Sequence, residues 1–88
     1  MAVITVTTKG QIIGLNDDLM VLLSNDDAAE VVRASRTDGT WTVHADGQGD
    51  TTATNRGDAI GAMVAHAQTA TGADNYTAQI QPGLADLP

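Results

Sequence analysis

The dipeptide Asp38-Gly39 constrains this chain more than any other feature. A two-residue type I′ turn needs φ > 0 at both central positions, and Asp-Gly supplies that at low cost. With this turn the cross-strand register is set: Thr37 faces Thr40, Arg36 faces Trp41, Ser35 faces Thr42, Ala34 faces Val43, Arg33 faces His44 and Val32 faces Ala45. Directly paired residues share a face, so Val32, Ala34, Trp41, Val43 and Ala45 form one apolar side, opposite a mostly polar one. A half-buried antiparallel sheet requires that separation.

The longest helical pattern follows a Gly-rich corner, Asp46-Gly47-Gln48-Gly49, and a short Thr-rich strand over residues 50–54. Asn55 is placed to cap it and Asp58 occupies the capping-box position. Ile60, Met63, Val64, Ala67 and Thr71 recur at helical spacing, a stripe that can lie on the sheet, and Gly72 is placed to end it. Beyond it, residues 75–81 alternate Tyr76, Ala78 and Ile80 against Thr77, Gln79 and Gln81, which predicts a last strand. Pro82-Gly83 closes that strand, and residues 84–88 read as a flexible tail.

Upstream, Lys9-Gly10 reads as the turn of a first hairpin over residues 2–15, pairing Val6 with Ile13 and Ile4 with Leu15, with Ile12 on the other face. Asn16-Asp17-Asp18 and Asn25-Asp26-Asp27 bracket residues 19–24, and Asn and Asp make such turns by bonding their own backbone. A strand is preferred between them, a short helix being the alternative. Over residues 28–36, Ala28, Val31, Val32 and Ser35 have helical spacing, but the adjacent valines and the hairpin register favour a strand. The expected fold is a single α+β domain over residues 1–83: an antiparallel meander of short strands, one long helix over about 56–71 packed on the sheet, and a final strand over about 75–81. A ferredoxin-like βαββαβ arrangement is the alternative.

Composition narrows function. A chain of 88 residues buries only about 60 to 65% of its unfolded surface, so an enclosed enzymatic cleft is not expected. With no cysteine, disulfide and thiolate chemistry are excluded. The start lacks a basic, then apolar, export signal and no run is long enough to span a membrane, which points to a cytoplasmic protein. Net charge is −7, from ten Asp and one Glu against three Arg and one Lys, with one Trp, one Tyr and no Phe. That balance argues against direct nucleic-acid binding, which rests on cations and stacked aromatics.

Motifs with chemical content are few. Asp46, Gln48 and Asp50 have the spacing of a calcium loop, but Thr51 and Gly57 stand where that loop needs Gly and Glu. His44 and His66, with Ser24 and Ser35, show no spacing that suggests a catalytic triad; His44 is expected on the outer sheet face and His66 on the helix flank. Arg56-Gly57-Asp58 spells an adhesion tripeptide but falls at a helix start, and Asn75-Tyr76-Thr77 is a glycosylation sequon. No metal, cofactor or catalytic residue is assigned.

The helix carries the least ordinary feature. Between Ala59 and Ala73 there is no Lys, Arg, Asp or Glu, whereas a solvated helix normally carries charge on its outer face. Gly57, Asp58, Gly61, Ala62, Ala65 and Thr69 are therefore candidate contacts for a protein partner or a second copy. Asp17, Asp18, Asp26 and Asp27 are candidates for an acidic patch. The run Gly39-Thr-Trp41-Thr-Val43, the Gly-rich corner, Thr54 and Asp58-Ala59-Ile60 resemble the pattern of small bacterial ββαβ domains, such as HicB-type antitoxins and the arm-binding domains of phage-type integrases. The resemblance covers about half the chain and implies the fold and a bacterial or phage setting. It does not carry DNA binding across, because the sheet offers only Arg33 and Arg36 where the integrase type has basic residues. The expected function is a non-enzymatic, acidic protein–protein interaction or assembly module. The alternatives are an anti-defence inhibitor that mimics nucleic acid with its Asp side chains, and a virion or assembly component.

Overall fold

The computed structural model describes residues 9–25, 27–72 and 76–87. Among them are six strands and one α-helix: β1 (Gly10–Asn16), β2 (Leu19–Ser24), β3 (Glu30–Thr37), β4 (Thr40–His44), β5 (Thr51–Ala53), α1 (Arg56–Thr71) and β6 (Ala78–Ile80), followed by a 3₁₀ turn at Leu84–Asp86. The strands form one mixed sheet in the order β5-β4-β3-β2-β1-β6. Neighbours from β1 to β5 pair antiparallel, while β6 pairs parallel with β1. The expected α+β class holds. The last strand differs from an all-antiparallel sheet because α1 leaves one sheet edge at β5 and returns the chain to the other edge.

The Asp38-Gly39 turn has φ of 53° and 78°, and β3 and β4 pair Thr37 with Thr40, Arg36 with Trp41, Ser35 with Thr42, Ala34 with Val43 and Arg33 with His44. Val32, Ala34, Trp41, Val43 and Ala45 are all buried. Residues 19–24 are a strand, and its apolar run divides: Met20 and Leu22 join the core cluster, whereas Val21 is buried on the opposite face, opposite Arg33 of β3.

Lys9-Gly10 is not a hairpin tip. Gly10 opens β1, pairing with Ser24 on one side and Ala78 on the other, and Lys9 N donates to Thr77 O at 2.8 Å. The partners expected for Ile13 and Leu15, Val6 and Ile4, lie outside the described residues; Ile13 pairs with Val21 instead. The face assignment of β1 inverts as well. Ile12 is fully buried and Leu15 is 54% exposed, because the core face of β1 reads Gly10, Ile12, Gly14. The two glycines leave room for bulky groups on either side of Ile12: a Cβ at Gly10 would lie 2.3 Å from Tyr76 Oη, and one at Gly14 would lie 2.9 Å from Leu84 Cδ1. Tyr76 and Leu84 thus lid the part of the core beside β1, and α1 packs over β3, β4 and β5. Leu84 is buried and sits in the 3₁₀ turn, so the chain does not become a tail at residue 84. Ile80 faces the core side but remains 37% exposed, since β6 is at an edge of the sheet that the described residues form.

Helix α1 begins and ends where its caps place it. Asn55 Oδ1 accepts from Asp58 N at 2.8 Å, Asn55 Nδ2 donates to Asp58 Oδ2 at 3.1 Å, and Gly72 closes the helix at φ 69°. Its buried face is Arg56, Ala59, Ile60, Met63, His66 and Ala67. The stripe is turned from the expected one: Val64 is half-buried and Thr71 exposed, because Arg56 and His66 are both drawn toward the sheet. No helix among the described residues is long and apolar enough to cross a membrane.

Candidate functional site

Two polar constructions hold α1 to the sheet. The first surrounds Trp41, which is 1% exposed. Arg36, its cross-strand partner, and Arg56, from the first turn of α1, place their guanidinium carbons 5.2 and 4.8 Å from the ring centroid. Both then donate from Nη2 to the carbonyl of Asp17 at 3.0 Å, and Arg36 Nε donates to Asp18 Oδ1 at 2.8 Å. Cation–π contacts are worth about 0.5 to 2 kcal/mol each, more when desolvated. Arg56 is 3% exposed, so an adhesion tripeptide is not displayed: its first residue is packed on Trp41. Of the sequon, Asn75 lies outside the described residues and Tyr76 is buried.

The second construction is at the other end of the helix footprint. Gln48, at the corner where its N–H donates to Ala45 O at 3.1 Å, turns its side chain to the helix. Gln48 Nε2 donates to the carbonyl of His66 at 2.9 Å, and Gln48 Oε1 lies 2.7 Å from His66 Nδ1. His66 Nε2 lies 2.9 Å from Thr51 Oγ1 on the edge strand β5. His66 is 9% exposed, not a flank residue, and it lies beside a cavity of about 220 Å³ lined by Gln48, Thr51, Ala62, Ala65, His66 and Thr69. Sequence spacing carried no sign of this cluster, since three separate elements supply it.

The calcium-loop spacing does not close. Gln48 points at His66, while Asp50 Oδ1 meets His44 Nδ1 at 2.7 Å and Asp46 Oδ1 stands 3.6 Å from His44 Nε2. Among the described residues no three His, Asp or Glu gather to hold a metal ion. His44 is exposed on the outer sheet face, and its hydrogen bond to Asp50 raises its pKa above the ordinary imidazole value.

The acidic candidates do not converge. Asp17 and Asp18 sit in the β1–β2 turn and Asp27 in the β2–β3 turn; Asp26 lies outside the described residues. The six residues of β2 lie between the turns, a span of about 20 Å at strand rise. The first turn is held by Asn16 Oδ1, which accepts from Asp18 N at 2.9 Å, and the Asp18 carboxylate is paired with Arg36 of β3; in the second turn Asp27 Oδ1 accepts from Ala29 N at 3.1 Å.

The helix candidates do share a surface. Gly57, Asp58, Gly61, Ala65 and Thr69 are exposed, while Ala62 is half-buried, packs against the core and lines the cavity beside His66. A Cβ added at Gly61 would meet nothing within 4 Å, and one at Gly57 would meet only Asn55 Oδ1 at 3.5 Å. These glycines are therefore not required by packing within the chain. The chain matches no family model, no curated protein and no solved structure.

Proposed function

We propose that this protein is a non-enzymatic interaction module, in a bacterial or phage setting, that contacts a second copy or another protein through the outer face of α1. One observation carries the reading. Gly57, Gly61, Ala65 and Thr69 are open to solvent on a helix that has no charged residue after Asp58. Small side chains let another backbone approach closely, and an uncharged face loses little when it leaves water. Gly61, in the helix interior, weakens α1 by roughly 0.5 to 1 kcal/mol relative to Ala, and the chain's own packing does not explain it. Nucleic-acid mimicry finds less support, because Asp17 and Asp18 lie at the opposite end of β2 from Asp27, with Asp18 paired to Arg36 and Asp27 bonded within its own turn.

Sedimentation velocity from micromolar to millimolar concentration tests the proposal. Concentration-dependent association is expected, reversed by Ala65→Glu or Thr69→Lys without loss of fold. A chain that stays monomeric, and from whose native host no partner is captured that these substitutions release, would overturn it.

A further inference from the structure

We infer that Thr51 is an activated hydroxyl, a site that accepts an acyl group from a carboxylic ester, with His66 as its general base and Gln48 as the residue that orients the base. The inference goes beyond the interaction reading and stands on different residues' chemistry. It begins with the Gln48 amide. Nε2 donates to the carbonyl of His66 at 2.9 Å, which turns Oε1 toward His66 Nδ1 at 2.7 Å. The reversed amide would set oxygen against the His66 carbonyl and so lose that hydrogen bond. A carbonyl oxygen can only accept, so in the neutral ring the proton sits on Nδ1. The lone pair of Nε2 is then directed at Thr51 Oγ1, 2.9 Å away, and the hydroxyl donates to it.

Nucleophile, base and orienting group in hydrogen-bonded series is the arrangement that activates a hydroxyl on unrelated folds, and it is recognised by geometry instead of sequence order. Exposure is divided as the chemistry needs. Thr51 is exposed on the edge strand, whereas His66 is shielded at 9% exposure. Beside them, Ala62, Ala65 and Thr69 keep a cavity of about 220 Å³ open, large enough for a short acyl chain.

In the step, Thr51 Oγ1 attacks the ester carbonyl carbon while its proton passes to His66 Nε2. The bond from that carbon to the alcohol oxygen breaks, and the alcohol leaves with the same proton. The products are an acyl ester on Thr51 and free alcohol, with His66 restored and no change of oxidation state.

The test uses p-nitrophenyl acetate with the full chain, following p-nitrophenolate release and locating the acetyl group by peptide mass spectrometry. One acetyl on Thr51 is expected, retained in Thr51→Ser and absent in Thr51→Val, which keeps the shape of an exposed residue. His66→Gln should slow the labelling about 100-fold or more, the span of general-base assistance. Gln48→Leu should slow it and alter its pH profile, since it removes both the acceptor for Nδ1–H and the donor to the His66 carbonyl. Acetyl found only on amines or on His44, or labelling of Thr51 at the wild-type rate in folded His66→Gln or in Gln48→Leu, would overturn the inference.

Discussion

Replacing Gly10 by Ala adds a single methyl group, and the structure fixes what it meets. The new Cβ would lie 2.3 Å from Tyr76 Oη, 2.7 Å from the carbonyl oxygen of Leu23 and 3.1 Å from Leu22 Cδ2. The Leu22 methyl can give way by a rotamer change. The Leu23 carbonyl cannot, because it belongs to β2, which is paired with β1 on one side and β3 on the other. Overpacking of this kind costs about 1 to 3 kcal/mol. For a chain of 88 residues, unfolding entropy of roughly 2.1 cal/mol/K per residue converts that to a fall in Tm of about 5 to 15 °C. Thermal melts followed by circular dichroism would measure it. Adding Tyr76→Phe removes the nearest clash but leaves the Leu23 contact, so a double-mutant cycle should return part of the loss as favourable coupling. A Gly10→Ala chain melting within 2 °C of wild type would refute the close approach of Tyr76, and with it the inverted face of β1.

Trp41→Ala should cost about 3 to 5 kcal/mol from the lost ring and its cavity, and denaturant melts of a domain this small should show most of its stability gone; a shift below 1 kcal/mol would remove Trp41 from the core. Gly61→Ala should stabilise the isolated fold by about 0.5 to 1 kcal/mol, since its methyl enters open space, yet weaken the self-association or partner binding proposed for α1; equal or tighter association would count against that face. His44 has its pKa raised by Asp50, so the pairing contributes stability fully below the unfolded imidazole value of about 6.5 and loses it as pH rises through the folded value. The stability difference between wild type and His44→Gln should therefore shrink on going to alkaline pH, and Asp50→Asn should return the His44 titration toward its ordinary value by NMR. Binding through α1 should vary little with ionic strength, whereas acidic mimicry would be screened within about 10 Å at 0.1 M salt; a complex that dissociates at moderate salt favours the mimic.

What could be read from the sequence was local. Asp38-Gly39 set a register that β3 and β4 follow, because the turn type and the period-2 pattern are both fixed within a few residues. The caps Asn55 and Gly72 bounded α1 for the same reason. Lys9-Gly10 has the composition of a turn, but the requirement for Gly10 comes from Tyr76, far along the chain, and the sequence offers no local trace of that contact. Ile12 and Leu15 exchanged faces with it. The parallel pairing of β6 with β1 depends on where α1 delivers the chain, which no strand pattern encodes. His66 reads from the sequence as a flank residue because its two partners lie on a corner and an edge strand, and a helical stripe counted from apolar residues alone places a lone imidazole outside it. Arg56 falls outside that stripe for the same reason, its place being set by the ring of Trp41.

The two polar constructions also bear on where another molecule can approach. Arg56 and His66 are on the buried side of α1, one held at Trp41 and the other at Gln48 and Thr51. They fix the rotation of the helix about its axis more strictly than the apolar residues do, since Ala59 and Ala67 would pack in several rotations but a hydrogen bond at 2.7 Å would not. Once that rotation is fixed, Gly57, Gly61, Ala65 and Thr69 are necessarily the residues presented outward. Had the helix settled on the stripe of Ile60, Val64 and Thr71, Ala65 and Thr69 would still face outward, but Gly57 would have turned toward the sheet and Gly61 to the flank. The polar groups that anchor α1 to the sheet are thus the same ones that set its neutral surface, which is why His66→Gln should disturb association as well as the reactivity of Thr51, while Gly61→Glu, on the outer face and outside the cavity lining, should disturb association alone.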